Sequence, residues 1–82
     1  MTEKAEVELS EEQLIAKAVA YATGKHMFKM QDILAVDIKK TYPPVTTLRV
    51  HIYLRGSPIK AVVHITPTGE VKSSHIEELV LT

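Results

Sequence analysis

The sequence predicts an α+β domain, with one N-terminal helix packed on one face of a mainly antiparallel sheet of three to four strands. Three observations carry that expectation. Residues 10–24 set apolar side chains three and four apart between a cap motif and a glycine. Residues 47–55 alternate apolar and polar without error. Two proline-containing turns, at 55–58 and 66–69, bracket a second strand of similar length. Periods of 3.6 and 2 are the marks of a half-buried helix and of half-buried strands.

The helix is expected over residues 11–23. Ser10-Glu11-Glu12-Gln13 reads as a capping box, and Leu9 and Leu14 have the spacing of a hydrophobic staple. Glu11 and Glu12 sit where the positive end of the helix dipole favours them. Leu14, Ile15, Ala18, Val19 and Ala22 form the buried stripe; Gly24 supplies the stop, with Lys25 and His26 beside it. The next strand, Ile33–Ile38, sets Leu34, Val36 and Ile38 on one face against Ile33, Ala35 and Asp37 on the other. It turns polar at Lys39-Lys40-Thr41-Tyr42 and ends at Pro43-Pro44, neither of which can donate to a ladder. Leu48, Val50, Ile52 and Leu54 then point inward and pair with Ile65, Val63, Ala61 and Ile59. A slip of one residue would put every partner on the wrong face. Thr66-Pro67-Thr68-Gly69 is a second turn, and Glu70-Val71-Lys72 begins a short further strand. Ser74-x-x-Glu77 favours a short C-terminal helix with Ile76, Leu79 and Val80 inward, an edge strand being the alternative.

At 82 residues the chain makes one domain, expected to occupy residues 10–82 behind a flexible acidic arm of residues 1–9. Only Tyr21, Phe28, Tyr42 and Tyr53 are aromatic, so the core is aliphatic. Ten Lys+Arg balance ten Asp+Glu, which excludes a polybasic tail and an acidic disordered chain alike. Without cysteine there is no disulfide framework, thiolate catalysis, zinc ribbon or iron–sulfur cluster. The start is acidic where a secretory signal is basic and then apolar, and no apolar run approaches the roughly 20 residues of a membrane span. These features predict a cytoplasmic protein with no membrane partner. Asn is absent and Gln occurs only at 13 and 31, a depletion of thermolabile residues that leans toward a thermophilic source.

Charge is segregated along the chain. Residues 1–13 hold five Glu against Lys4, a net of −4; residues 14–60 hold eight Lys and Arg against Asp32 and Asp37, a net of +6; residues 61–82 hold Lys72 against three Glu, a net of −2. Such polarity can steer a partner or a second copy.

Chemistry that needs a catalytic constellation finds none. Ser10, Ser57, Ser73 and Ser74 serve caps and turns, the two aspartates form no dyad, and the isolated glycines make no phosphate-cradling loop. No enzymatic activity and no cofactor are expected. The outward face of the central hairpin is the candidate contact surface: Arg49, His51, Tyr53, Arg55, Lys60, Val62 and His64. Cations with an aromatic ring can hold single-stranded nucleic acid through phosphates and stacking, although Tyr53 is alone where such faces show two or three rings. The other reading of the same face is a protein interface, and a small domain with an uncovered sheet face gains stability by pairing. His51 and His64 are diagonal neighbours there, but a tight metal site needs three or four ligands, and no metal site is assigned.

The order of an Ala-rich helix, Gly24, a strand and a hairpin ending in Thr68-Gly69-Glu70-Val71 resembles a PepSY-type module, over roughly Ala16 to Lys72. The chain departs from that pattern in having Thr66-Pro67 where an acidic residue usually precedes the turn. The resemblance implies a binding or inhibitory module rather than a catalyst. Taken together, the sequence predicts a small non-catalytic interaction domain that self-associates through its open sheet face, forming a homo-oligomer or meeting a protein partner. A nucleic-acid-binding module using the same basic face is the alternative.

Overall fold

The computed structural model describes residues 8–40 and 47–79. In chain order the elements are α1 (Glu11–His26), a 3-10 turn (Met30–Asp32), β1 (Ile33–Lys40), β2 (Leu48–Leu54), β3 (Ile59–Ile65) and β4 (Val71–Glu78). The strands form one antiparallel sheet in the order β1-β2-β3-β4, and α1 packs on one of its faces. The fold is α+β, as the sequence predicts.

The helix starts at the expected cap. The Gln13 N–H donates to Ser10 Oγ at 3.2 Å, and the Ser10 N–H donates to Gln13 Oε1 at 3.0 Å. Leu9 packs against the core and donates its N–H to the Pro67 carbonyl at 2.9 Å, so this residue, placed in the arm by the sequence, is tied to the folded unit. Residues 1–7 lie outside the described residues. The far end of the helix corrects the sequence. Gly24 is not the stop: α1 continues to His26, and Met27 takes the left-handed cap with φ 64° and its N–H on the Thr23 carbonyl. Gly24 weakens a helix only through its propensity, about 1 kcal/mol. Continuing brings His26 Nε2 to 2.9 Å from Ser74 Oγ on β4.

The hairpin of β2 and β3 has the derived register. Leu48, Val50 and Ile52 pair with Ile65, Val63 and Ala61 beneath the helix, while Arg49, His51 and Tyr53 pair with His64, Val62 and Lys60 on the other face. On β1 a bulge changes part of the expected faces. Ile33 pairs with Leu54 and Ala35 with Tyr53, leaving Leu34 between them. Val36 and Ile38 stay on the helix side, but Ile33 joins them against the core and Leu34 is exposed. The cause is a backbone bond: the Arg55 N–H donates to the Asp32 carbonyl at 2.7 Å and fixes the entry to β1 out of step with its interior. The expected strand end at Pro43-Pro44 lies outside the described residues.

The preferred C-terminal helix is also corrected. Residues 71–78 are strand, with Ile76 beside Ala61, Ser74 beside Val63 and Glu77 beside Lys60. Without β4, the edge of β3 beside Ala61, Val62 and Val63, all buried, would be left unpaired. The turn at 66–69 sends the chain straight back along that edge: the Gly69 N–H donates to the Thr66 carbonyl and the Glu70 N–H to Thr66 Oγ1, both at 2.9 Å. The Leu79 N–H then closes on the Pro58 carbonyl at 2.7 Å. Val80 lies outside the described residues.

One helix is about 10 Å across, whereas four strands about 4.8 Å apart need nearly twice that cover. The core therefore concentrates under α1, at Leu14, Ala18, Val19 and Ala22 against Val50, Ile52, Ala61, Val63 and Ile65. A shallow apolar groove of about 530 Å³ remains between α1 and β1, lined by Ile15, Ala16, Val19, Ala20, Met30, Ile33 and Val36.

The two ends of α1 and the 66–69 turn give direct checks in thermal unfolding. A Cβ at Gly24 meets nothing within 4 Å, so Gly24→Ala is expected to stabilise by about 0.5–1 kcal/mol; destabilisation would place the helix stop at Gly24 after all. Gly69 has φ +99°, and a Cβ there would lie 2.6 Å from Leu9 Cδ1. Gly69→Ala is expected to cost about 1–3 kcal/mol, and a neutral result would mean that Leu9 does not pack on this turn.

Candidate functional site: the open face of the sheet

The face of the sheet away from α1 has no layer over it among the described residues. Cross-strand pairing arranges it in three rows. Ala35, Tyr53, Lys60 and Glu77 form one; Asp37, His51, Val62 and His75 the next; Lys39, Arg49, His64 and Ser73 the third, nearest the Leu48–Ile65 end. Six of the seven residues singled out from the sequence are thus brought together. Arg55 instead lies exposed in the turn after β2. The sequence drew this face from β2 and β3 alone, neither of which carries a carboxylate. The structure adds Asp37 from β1 and both His75 and Glu77 from β4. That membership could be seen only once the outer strands had a register.

The side chains fall into small sets. Lys39 Nζ lies 3.4 Å from Asp37 Oδ2, and Lys60 Nζ lies 3.7 Å from Glu77 Oε1 and 5.7 Å from the centre of the Tyr53 ring. His75 Nε2 is 2.7 Å from Glu77 Oε2, and its ring stacks on His64 with centroids 5.4 Å apart. Arg49 is exposed and makes no ion pair among the described residues. At the centre the apolar contact expected of Val62 is absent, for it is only 1% exposed and offers a partner almost no surface. His51 is 6% exposed, stacks loosely on Tyr53, and has both ring nitrogens buried without a hydrogen-bond partner. A buried polar group left unbonded costs roughly 1–3 kcal/mol.

Titration follows from this packing. Burial holds the His51 imidazole below its ordinary 6.5, and Lys60, Lys39 and Arg49 press the same way while Glu77 opposes them. Burial also lowers His64, helped by His75 and Arg49. The His75 hydrogen bond holds the Glu77 carboxyl below the usual carboxylate range. Among the described residues no three His, Asp or Glu stand close enough together to hold a metal ion. His26, the remaining histidine, sits on the helix side with Ser74. No helix among the described residues is long and apolar enough to cross a membrane.

No protein-family model, curated protein or solved structure matches this chain.

The lowered imidazoles fix the sign of the acid response. Above 6.5 they are neutral in both folded and unfolded chains, and their effect on stability is fully present there. Below 6.5 the unfolded chain takes up protons that the folded chain resists, so stability falls until the lower folded values are reached. Replacing His51 by Leu removes the unbonded nitrogens at similar volume. In dilute solution His51→Leu is expected to stabilise by about 1 kcal/mol and to flatten part of the decline below 6.5. A loss of stability at neutral pH would show that the imidazole has a partner in the isolated chain.

Proposed function

We propose that this chain is a small, non-catalytic protein-interaction domain that self-associates through the open face of its sheet. The observation that carries the reading is His51. A buried imidazole with two unbonded nitrogens, in the middle of a face that no other element covers among the described residues, is a group whose hydrogen bonds a second copy would complete on displacing the side chains around it. The surface around it is built for polar contact. Arg49 offers a guanidinium with no ion pair among the described residues, His64 and Tyr53 are half-exposed, and Lys60 Nζ stands over the Tyr53 ring. Interfaces of this kind draw on Arg and Tyr rather than on bulk apolar area. The resemblance of Thr68-Gly69-Glu70-Val71 to a PepSY-type step points the same way, toward binding.

The nucleic-acid reading is weaker on this geometry. Asp37 and Glu77 stand on the same face and already engage Lys39 and Lys60, so the positive field a phosphate chain would meet is reduced, and among the described residues Tyr53 is the single tyrosine on it.

Sedimentation equilibrium, alone and with a short mixed-sequence single-stranded oligonucleotide, separates the two. At both about 50 and about 500 mM salt the chain is expected to reach a concentration-dependent dimer and to leave the oligonucleotide free. A monomer at every concentration contradicts the proposal, and one that takes up oligonucleotide only at low salt supports the alternative.

A further inference from the structure

Two histidines of the open face are neighbours across the β3–β4 pair. His64 lies opposite Ser73 and His75 opposite Val62, so the two are diagonal to each other, and their ring centroids are 5.4 Å apart. Two imidazoles bound to one tetrahedral zinc at about 2.0–2.1 Å set their ring centres about 5 Å apart. The pair already has that spacing. His75 is exposed and His64 half-buried, which leaves an ion a way in from the open side. His51, the histidine in the middle of the face, has both nitrogens buried instead.

His75 is also oriented. Its Nε2 lies 2.7 Å from Glu77 Oε2. A carboxylate accepts and does not donate, so in the neutral ring the proton of that bond sits on Nε2 and Nδ1 keeps its lone pair. Histidines that bind metal commonly hand their second N–H to a carboxylate in this way. One copy therefore supplies two nitrogens where a structural zinc takes four ligands, and among the described residues no third His, Asp or Glu completes the set. The missing pair is present on a second copy. In a two-fold contact each face meets the same face, so an axis passing beside His64 and His75 brings four imidazoles together. The two Glu77 carboxylates then offset the charge of the dication, against Lys60 beside Glu77 and Arg49 opposite His64.

We propose that His64 and His75 are half of a zinc site that a second copy completes, one ion bridging two open faces through four imidazoles, with Glu77 positioning His75. The proposal rests on self-association through that face and names what fastens it.

The test uses the full chain, stripped with chelator and then titrated with zinc chloride. Sedimentation equilibrium gives the dimer dissociation constant with and without the metal, and circular dichroism checks that each variant is folded. Zinc at about 100 times its own dissociation constant is expected to tighten the dimer about a hundredfold, with one ion bound per two chains. Cobalt(II) in its place is expected to give the strong visible absorption of a tetrahedral site. His64→Gln and His75→Gln are each expected to abolish the response to zinc, while His26→Gln, on the helix side, keeps it. Glu77→Gln is expected to retain the cobalt spectrum and to weaken zinc binding about tenfold; unchanged zinc affinity in that variant would remove the positioning role. A chain that dimerises only with zinc supports the site and makes the ion a requirement of association. A monomer with and without zinc removes self-association and the site together. A dimer indifferent to zinc overturns the site and leaves self-association standing. A zinc response that survives both His64→Gln and His75→Gln, or one ion bound per monomer, places the metal elsewhere and overturns the proposal.

Discussion

A pleated sheet sends alternate side chains to opposite faces, and among the described residues there is one helix to cover them. Every other feature follows from that constraint. Val50, Ile52, Ala61, Val63 and Ile65 go under α1 and close the core with Leu14, Ala18, Val19 and Ala22. The residues between them have to go to the far face, whatever their chemistry. A register slip on either central strand would exchange the two sets, placing Arg49, His51 and Lys60 under the helix and burying unpaired charge. The hairpin register is therefore what holds both the core and the open face in place.

The far face shows how such a sheet tolerates polar side chains without a covering layer among the described residues. Side chains pair across it: Lys60 Nζ stands over the Tyr53 ring, His75 stacks on His64, and the flanking carboxylates pair with neighbouring cations. Burial takes in Val62 and His51 on this face. It suits Val62, which has nothing to bond. It does not suit His51, whose nitrogens lose water and gain no partner. The groove between α1 and β1 is a different surface, its lining side chains aliphatic apart from the Met30 thioether, with no polar side chain among them to orient a ligand.

How much of this could be read from the sequence depended on how local the deciding interaction was. The α1 cap and the β2–β3 register were legible because Ser10 with Gln13, and the unbroken alternation of residues 48–54, specify them within a few residues. The stop at Gly24 misled because a glycine weakens a helix without ending it, and His26 finds Ser74 across 48 positions of chain. Residues 74–79 carry a helix-like pattern, Ser74-x-x-Glu77 with Ile76 and Leu79. The open edge of β3 and the turn at 66–69 outweigh it, and neither is a property of that segment. Leu34 and Ile33 exchanged roles through one backbone bond from Arg55 to Asp32. The candidate face was legible in its centre and incomplete at its margins, because Asp37, His75 and Glu77 joined it only through the pairing of β1 and β4.

The central claim, that copies meet on the open face, is tested most directly by nuclear magnetic resonance of the unmodified chain at increasing concentration. The imidazole signals of His51 and His64 and the ring of Tyr53 are followed alongside the methyls of Ala16, Ala20 and Val36 in the groove. The account requires the imidazole and Tyr53 signals to move together along one binding curve while the groove methyls stay fixed. Movement of the groove methyls with a stationary His51 would contradict it, and would make the α1–β1 side the surface on which this protein associates.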